Sequence, residues 1–394
     1  MAYSSSSWSN TSFFVILLLW SGSLYADGCY TSIISFGDSL ADTGNLKQLA
    51  TMSDKVYSLF LPPYGETYFH NPTGRCSNGR LIIDFLAESL GLPFLPPFIR
   101  DNDSDNVVSL GQGINYAVAG ATALNPSILE ASGIVNPMTN ASLEVQLAWF
   151  KQSLPSLCSN VSDCRNLIGS SLIIMGEIGG NDYNYPILQG KSIDEVEPLV
   201  PLVIDTIISA VDELIGMGAQ TLVVPGNFPI GCSSSYLTVC HSDNPNDYDN
   251  TTGCLIRLNK FSEYHNELLQ TKLNQLRELH PNVVIMYADY YNAAMEIFRS
   301  PNTYGFTNGA LKVCCGGGGG GVYNYNPSME CGFPSASVCD DPDTYVNWDG
   351  IHLTESAYRV IANNLFQGPF TTPQFNSLCP ASVSRVGVGL LSSV

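Results

Sequence analysis

Three side chains have the types that acyl-transfer chemistry requires, although they lie far apart in the sequence. Ser39 follows Ile33–Phe36, an apolar run whose β-branched and aromatic residues favour a buried strand. His352 follows Asp349 by three residues, and Gly350 permits a tight bend between them. This spacing predicts that Asp349 orients the His352 imidazole, whose other nitrogen takes the proton of Ser39. Each segment also has a structural interpretation without catalysis. Ser39 would be a helix cap, and Asp349 and His352 would form the polar start of a helix.

A serine esterase also needs hydrogen-bond donors for an oxyanion, and a glycine-rich segment offers one. Gly-Gly-Asn-Asp at 179–182 follows the apolar run 171–178, so the amide of Asn181 stands at a strand end. We predict an oxyanion hole made of this amide and the backbone N–H groups of Ser39 and Gly113. The alternative is a glycine turn with Asn181 in a left-handed conformation.

The remaining histidines and the cysteines do not form a pattern that predicts a metal or cofactor site. Surface or structural roles are predicted for the other histidines, His70, His241, His265 and His280. The 12 cysteines contain no Cys-x-x-Cys pair of the kind that zinc sites use. We therefore expect no metal and no organic cofactor.

Short apolar runs alternate with amphipathic segments, which predicts parallel strands joined by crossover helices. The predicted strands are 33–36, 111–122, 171–178, 221–225 and 283–288, and the clearest helices are 81–90, 196–214, 258–279, 289–298 and 355–366. We predict one α/β domain at 27–370 with long loops. Because ligands bind beyond the carboxyl ends of parallel strands, Ser39 stands where chemistry is expected.

The ends of the chain and its charge narrow the class of protein. The apolar run 13–20 is too short to span a bilayer and precedes small residues, which predicts a signal peptide at 1–26. No later stretch is long and apolar enough for a membrane anchor, and the tail 371–394 is predicted to be disordered or trimmed. A net charge of −19 with only 16 basic residues argues against nucleic-acid binding. It would favour the approach of cationic substrates.

Cysteines and glycosylation sequons both indicate the secretory route. An even number of cysteines behind a signal peptide predicts disulfides, with Cys158–Cys164 and Cys331–Cys339 as attractive local pairs. Acceptor sequons follow the signal region at Asn102, Asn140, Asn160 and Asn250.

Taken together, these segments resemble the plant-type GDSL esterase/lipase family of the SGNH hydrolase superfamily. Its four blocks stand here at residues 36–40, 113–117, 179–182 and 348–354, and further family-like stretches at 77–80, 224–232 and 314–317. The resemblance covers about 31–368. It implies Ser39 as nucleophile, His352 as base, Asp349 as orienting acid, and Gly113 and Asn181 in the oxyanion hole. It also implies a flavodoxin-like three-layer α/β/α fold with five parallel strands.

The function expected from this resemblance is hydrolysis of acyl esters of small plant metabolites, among them acetyl, alkaloid or other specialised-metabolite esters. The alternatives are an acyltransferase using the same triad, a lipase acting on fatty-acyl esters, and a binding protein without activity. The expected partner is a small ester, without nucleic acid or a membrane anchor, and the expected form is a secreted or vacuolar monomer.

Overall fold

The chain is built around one mainly parallel sheet, in a computed structural model that describes residues 29–100 and 113–378. The predicted signal peptide, Asn102 and residues from 379 onward lie outside this described part. The strands are β1 Ser32–Ser35, β2 Ile114–Asn115, β3 Ser171–Ile174, β4 Thr221–Pro225, β5 Val284–Ala288, β6 Cys315–Gly316, β7 Ser337–Val338 and β8 Thr371–Thr372. The α-helices are α1 Asn45–Met52, α2 Ile82–Leu90, α3 Pro126–Ala131, α4 Leu143–Leu157, α5 Val161–Ser170, α6 Gly180–Leu188, α7 Ile193–Val196, α8 Leu199–Met217, α9 Ser234–Val239, α10 Ile256–Leu279, α11 Tyr290–Arg299, α12 Glu355–Phe366 and α13 Phe375–Leu378.

The central sheet has the strand order β2-β1-β3-β4-β5-β8. The first five strands are parallel, and β8 pairs antiparallel with β5 at the edge. The order 2-1-3-4-5 is that of flavodoxin-like sheets, which leave a ligand crevice beyond the carboxyl ends of β1 and β3. The predicted α/β fold is confirmed, and β8 is a short addition to the five predicted strands.

Alternate residues of each strand enter different cores, because successive side chains of a strand point to opposite faces. Ile34 packs in the core formed with α4, α8 and α10, whereas Ile33 packs in the core formed with α2, α11 and α12. The predicted apolar stripe of α8 is buried, and its members include Val200, Val203, Ile204, Ile207, Val211 and Leu214. Burial of each such side chain contributes about 1.5–3 kcal/mol, which holds α8 against the sheet.

The sequence pattern missed the three helices between the second and third strands, α3, α4 and α5. Helix α4 buries Leu143, Leu147 and Phe150 at helical spacing, but Pro155 near its end and few buried residues in its second half weaken the pattern. It also buries Gln146, a polar residue that reaches the site. Helix α4 therefore contributes to the site through a polar residue that its weak amphipathic pattern does not indicate.

The ordered domain continues past the predicted boundary at residue 370. Strand β8 pairs with β5 at the edge of the sheet, and α13 follows β8 in the chain. The Phe375 ring packs 5.1 Å from that of Phe366, and the Phe375 N–H donates to the Thr371 hydroxyl. The prediction of a disordered tail from 371 is therefore wrong for residues 371–378, because these contacts bury Phe375 in the core of α12.

Four disulfides join described cysteines, namely Cys158–Cys164, Cys232–Cys254, Cys314–Cys339 and Cys315–Cys331. The predicted Cys158–Cys164 pair is confirmed. The Cys331–Cys339 pair is wrong, because Cys339 bonds to Cys314 and Cys331 bonds to the adjacent Cys315. Cys76 and Cys240 are free thiols, so the even number of cysteines does not mean that each of them forms a disulfide. Within residues 29–100 and 113–378, no helix has the length and apolar character needed to cross a membrane.

Candidate active site

Ser39 lies in the turn after β1, at the crevice between β1 and β3. Gly37 has φ +135°, and a Cβ there would lie 3.0 Å from the backbone oxygen of Glu177, so glycine suits this close crossing. The Gln146 amide accepts from the Gly37 N–H at 2.9 Å and donates to its carbonyl at 2.8 Å. The Asp38 N–H donates to the Glu177 carbonyl at 3.0 Å. These contacts hold the turn on two sides, so Ser39 is positioned before substrate arrives.

The structure brings Ser39, His352 and Asp349 together, as the sequence analysis predicts. His352 Nε2 lies 2.8 Å from Ser39 Oγ, and His352 Nδ1 lies 2.7 Å from Asp349 Oδ2. Asp349 Oδ1 accepts the N–H groups of Ile351 and His352 at 3.0 and 2.8 Å. Gly350 has φ +104°, the left-handed geometry that the bend between Asp349 and His352 needs. An acceptor at Nδ1 fixes the proton there and leaves Nε2 free to take the Ser39 proton.

Burial and charge shift the pKa values of His352 and Asp349 in opposite directions. Burial lowers the pKa of His352, but the charge of Asp349 and its hydrogen bond outweigh that effect and hold the pKa well above 6.5. Burial raises the pKa of Asp349, but the charge and hydrogen bonds of His352 lower it to about 2. Asp349 is therefore a carboxylate at every pH near neutrality, and the imidazole is a strengthened base.

Asn181 lies at the start of α6, beside the turn that carries Ser39. Its amide nitrogen donates to Asp38 Oδ2 at 2.8 Å and to the Ala121 carbonyl at 3.0 Å. Glu177 Oε1 accepts the Gly180 N–H at 3.1 Å. Burial raises the pKa of Asp38 and of Glu177, and the Glu177 charge raises that of Asp38 further. The two carboxyl groups hydrogen-bond to each other, so they share a proton.

Gly113 does not lie with the other predicted oxyanion donors. It precedes β2 and stands beside Ile33, in the first half of β1. A Cβ at Gly113 would lie 2.4 Å from the Ile33 carbonyl oxygen, and its φ is +73°. Because β1 and β2 are parallel, this places Gly113 at the end of β1 opposite to Ser39. The structure contradicts its predicted role and indicates instead that close strand packing requires glycine there.

The same strand pairing, continued past β1 and β2, points to Gly120 as a neighbour of Ser39. Beyond the two strands, the N–H groups of Tyr116 and Val118 still donate to the chain of β1, at 2.7 and 3.1 Å. Continuing this pairing by two residues along each chain would place Gly120 beside Ser39. The Asn181 amide, which donates to Asp38, also donates to the carbonyl of Ala121, the residue after Gly120. Within the described residues, neither the N–H of Ser39 nor that of Gly120 has a hydrogen-bond acceptor. Gly120 is thus the better candidate for the donor that the sequence analysis assigned to Gly113.

A pocket of about 70 Å³ adjoins Ser39 and His352. Its apolar wall consists of Leu40, Phe228, Pro229, Ile230, Phe298, Ile351 and Leu353. Its polar wall includes Asn184, Asn227, Ser233, Tyr236 and Asn347, with Asp38 and Glu177 beside the nucleophile. The pocket therefore offers apolar packing on one side and hydrogen-bonding groups on the other.

The other histidines have the surface or structural surroundings that the sequence indicates. His265 is buried in α10, where its Nδ1 lies 2.8 Å from Tyr183 Oη and burial lowers its pKa to about 3. His280 pairs with Asp212 at 2.7 Å. His70 and His241 are exposed.

Three predicted glycan acceptors, Asn140, Asn160 and Asn250, are exposed, as attachment requires. Attachment at these residues stays a prediction. Among the described residues, no group of three or more His, Cys, Asp or Glu side chains is arranged to hold a metal ion.

Several side chains of the site belong to no local pattern from which the sequence could have predicted them. Gln146 and Glu177 act on the backbone around Ser39, and Tyr64 donates to Asp349. Cys76 is a buried free thiol close enough to His352 to contribute to the raised pKa of the imidazole. The position of Gly120 could have been found by extending the β1–β2 pairing, which needs the register that only the structure shows.

Comparison with known proteins agrees with the geometry. Residues 33–365 match the family described as GDSL-like Lipase/Acylhydrolase. The chain is 56% identical to the GDSL esterase/lipase At1g28590 of Arabidopsis thaliana, over 90% of this chain and 86% of that protein. It is 54% identical to the Arabidopsis GDSL esterase/lipase At1g31550, over 90% and 88% of the two chains. It is 50% identical to the sinapine esterase of Brassica napus, over 89% and 88%.

Proposed function

Because this chain belongs to the GDSL-like lipase/acylhydrolase family and is a carboxylic-ester hydrolase, we propose that it cleaves small-molecule esters through an acyl-serine intermediate on Ser39. The observation that carries this proposal is the continuous hydrogen-bonded series from Ser39 Oγ through His352 to Asp349, at 2.8 and 2.7 Å. Such a series supplies an activated nucleophile, a base and the group that orients the base.

In the first half-reaction, His352 Nε2 takes the hydroxyl proton as Ser39 Oγ bonds to the ester carbonyl carbon. The tetrahedral intermediate then collapses, the carbon–oxygen bond to the alcohol breaks, and His352 gives its proton to the departing oxygen. In the second half-reaction, His352 takes a proton from water as the water oxygen attacks the acyl-serine. Collapse releases the carboxylic acid and returns the proton to Ser39.

The oxyanion of both intermediates would be held by the N–H groups of Ser39 and Gly120, which have no other acceptor in the described residues. Asn181 would supply a third donor. Both hydrogens of its amide already have acceptors, so the amide group would have to rotate and give up the longer contact, to the Ala121 carbonyl at 3.0 Å, to reach the substrate oxygen. Loss of one such donor costs roughly 10²–10³ in kcat.

The size of the pocket favours compact esters over long-chain lipids. A space of about 70 Å³ next to Ser39 accommodates a group such as acetyl, and larger groups must extend into the open part of the crevice. The walls offer an apolar and a polar side, which suits substrates that carry both kinds of group. Since one relative is a sinapine esterase, sinapine belongs in the substrate panel together with acetyl, aromatic-acyl and fatty-acyl esters.

The direct test compares the wild-type protein with Ser39→Ala on 4-nitrophenyl acetate, butyrate and palmitate. We expect hydrolysis of the short esters by the wild type, little hydrolysis of the palmitate, and a loss of at least about 10⁴-fold in Ser39→Ala. A fluorophosphonate probe should label the wild type and not the variant. Undiminished turnover by Ser39→Ala would sink the mechanism, and a preference for the palmitate would overturn the compact substrate.

We also propose that the protein follows the secretory route to the cell exterior or the vacuole. The support is the set of disulfides together with the exposed sequons at Asn140, Asn160 and Asn250. Protein from plant secretions or vacuoles should migrate faster on gels after glycan removal. A chain recovered in the cytosol without glycans contradicts the proposal.

A further inference from the structure

The carboxylate of Asp349 receives one hydrogen bond that the proposed mechanism does not use. Tyr64 Oη donates to Asp349 Oδ2 at 2.8 Å, on the same oxygen that lies 2.7 Å from His352 Nδ1. The other oxygen accepts two backbone N–H groups. Asp349 thus has four donors, and Tyr64 is the one side chain among them that belongs to a distant part of the chain, 285 residues away.

Packing leaves the Tyr64 hydroxyl little freedom to move away from Asp349. Its side chain is buried, and its ring meets Trp348 edge to face at 5.9 Å. Both residues belong to a small core cluster with Cys314, Cys315 and Cys331 of the disulfide-linked loop. Burial and the charge of Asp349 raise the pKa of Tyr64 well above 10, so the phenol keeps its proton and remains a donor.

We propose that Tyr64 is a positioning residue for the hydrolytic reaction, whose hydroxyl aims the Asp349 carboxylate at His352 and moderates its pull on the imidazole. This inference rests on the proposed function. The inference requires only the contacts among Tyr64, Asp349 and His352. It gives the loop before α2 a part in catalysis, although none of the four sequence motifs includes this loop.

Because Tyr64 and His352 contact the same oxygen of Asp349, the hydrogen bond from Tyr64 has a predictable electrostatic effect. The hydrogen bond from Tyr64 disperses charge on Oδ2, which weakens the attraction between Asp349 and protonated His352. Without the hydroxyl, the attraction grows, the pKa of His352 rises, and the active neutral imidazole forms only at higher pH. The titratable groups around these three residues are Asp38, Cys76, Tyr325, Glu330 and Tyr358.

The experiment measures the pH profile of kcat/KM on 4-nitrophenyl acetate for wild type and Tyr64→Phe. We expect kcat about fivefold to tenfold lower at its plateau, because the carboxylate is less well aimed, and KM little changed. The acid limb should move to higher pH by about half a unit. The downfield proton signal of the His352 Nδ1–H should shift in the variant, which is a readout independent of turnover.

The matched control is Tyr291→Phe, which removes a phenol–carboxylate hydrogen bond of 2.7 Å to Glu263 away from the triad. It should leave the pH profile at the wild-type position. If Tyr64→Phe keeps the wild-type acid limb, kcat and proton signal, or if Tyr291→Phe shifts them equally, the inference is wrong. Wild-type protein without esterase activity would instead refute the proposed function, whereas an active wild type with an inert Ser39→Ala leaves only the role of Tyr64 in question.

Discussion

At the scale of single residues, a buried carboxylate decides how His352 behaves. Burial alone would make the imidazole a weaker base, yet Asp349 at 2.7 Å reverses that effect. His352 and backbone N–H groups in turn keep Asp349 ionised, and Tyr64 helps to hold the carboxylate in place. The basicity of the histidine is therefore a property of the group of residues, and substitutions around it should change the pH profile as well as the rate.

The pH dependence follows from the direction of these shifts. His352 must be neutral to accept the Ser39 proton, and its pKa is raised, so kcat/KM should fall as pH decreases through a value above 6.5. In Asp349→Asn this limb should move to lower pH and kcat should drop by roughly 10⁴-fold.

Asp212→Asn is the matched control for this prediction, because it removes the partner of His280 at 2.7 Å on the surface. Its profile and rate should equal those of the wild type. An unchanged acid limb in Asp349→Asn contradicts the assigned role of the carboxylate.

Gly120 provides a second test at this scale. Its φ is +81°, and a Cβ would lie 2.6 Å from Met138 Cβ and 2.8 Å from Tyr185 Oη. Gly120→Ala should therefore displace the N–H from the oxyanion and lower kcat by roughly 10²–10³. Gly133→Ala is the control, since Gly133 has a similar φ of +72° with no atom within 4 Å of a Cβ. Equal kcat values for the two variants would exclude Gly120 as an oxyanion donor.

At the scale of elements, strand ends and one long loop assemble the site. The turn after β1 carries Ser39, the turn after β3 carries Glu177, and α6 begins with the residues around Asn181. The loop between α11 and α12 carries Asp349 and His352, and its disulfides pack in one cluster with Trp348 and Tyr64. The sheet fixes the nucleophile, whereas the loop must be held in place by its own bridges.

Removal of one disulfide of that loop should show whether the disulfide only stabilises the fold or also positions the triad. The double variant Cys315→Ala/Cys331→Ala should lose about 2–4 kcal/mol of unfolding free energy and also lower kcat, because the cluster behind Asp349 loosens. Thermal unfolding and kinetics on 4-nitrophenyl acetate measure the two effects. The variant Cys158→Ala/Cys164→Ala, between α4 and α5, should leave kcat unchanged. A wild-type kcat in the first variant means that the bridge does not position the triad.

At the scale of the whole molecule, the charge of −19 acts on every ligand that approaches. An acidic protein attracts cations at long range, and salt screens this attraction. We expect kcat/KM for acetylcholine to fall several-fold between about 10 mM and 0.5 M salt. Its uncharged isostere 3,3-dimethylbutyl acetate should show little change. Equal salt dependence of the two esters contradicts steering by charge.

The sequence by itself determined the chemistry and the fold class of this protein. Apolar alternation and helical spacing predict the parallel sheet and α8, because burial of apolar side chains selects those periods. The types and local spacing of Ser39, Asp349 and His352 predict the triad, because few other residue types perform this chemistry.

Only the tertiary structure decided which backbone groups and supporting side chains meet at the nucleophile. Strand register excludes Gly113 and points to Gly120 as the donor near Ser39, and a local sequence does not encode register between segments 80 residues apart. Disulfide pairing likewise depends on how close β6 lies to its partners, which overturned the Cys331–Cys339 pair. The contact of Tyr64 with Asp349 spans 285 residues and arises only when two loops pack against Trp348. Such contacts depend on the three-dimensional packing of the whole chain, and for that reason local residue patterns could not predict them.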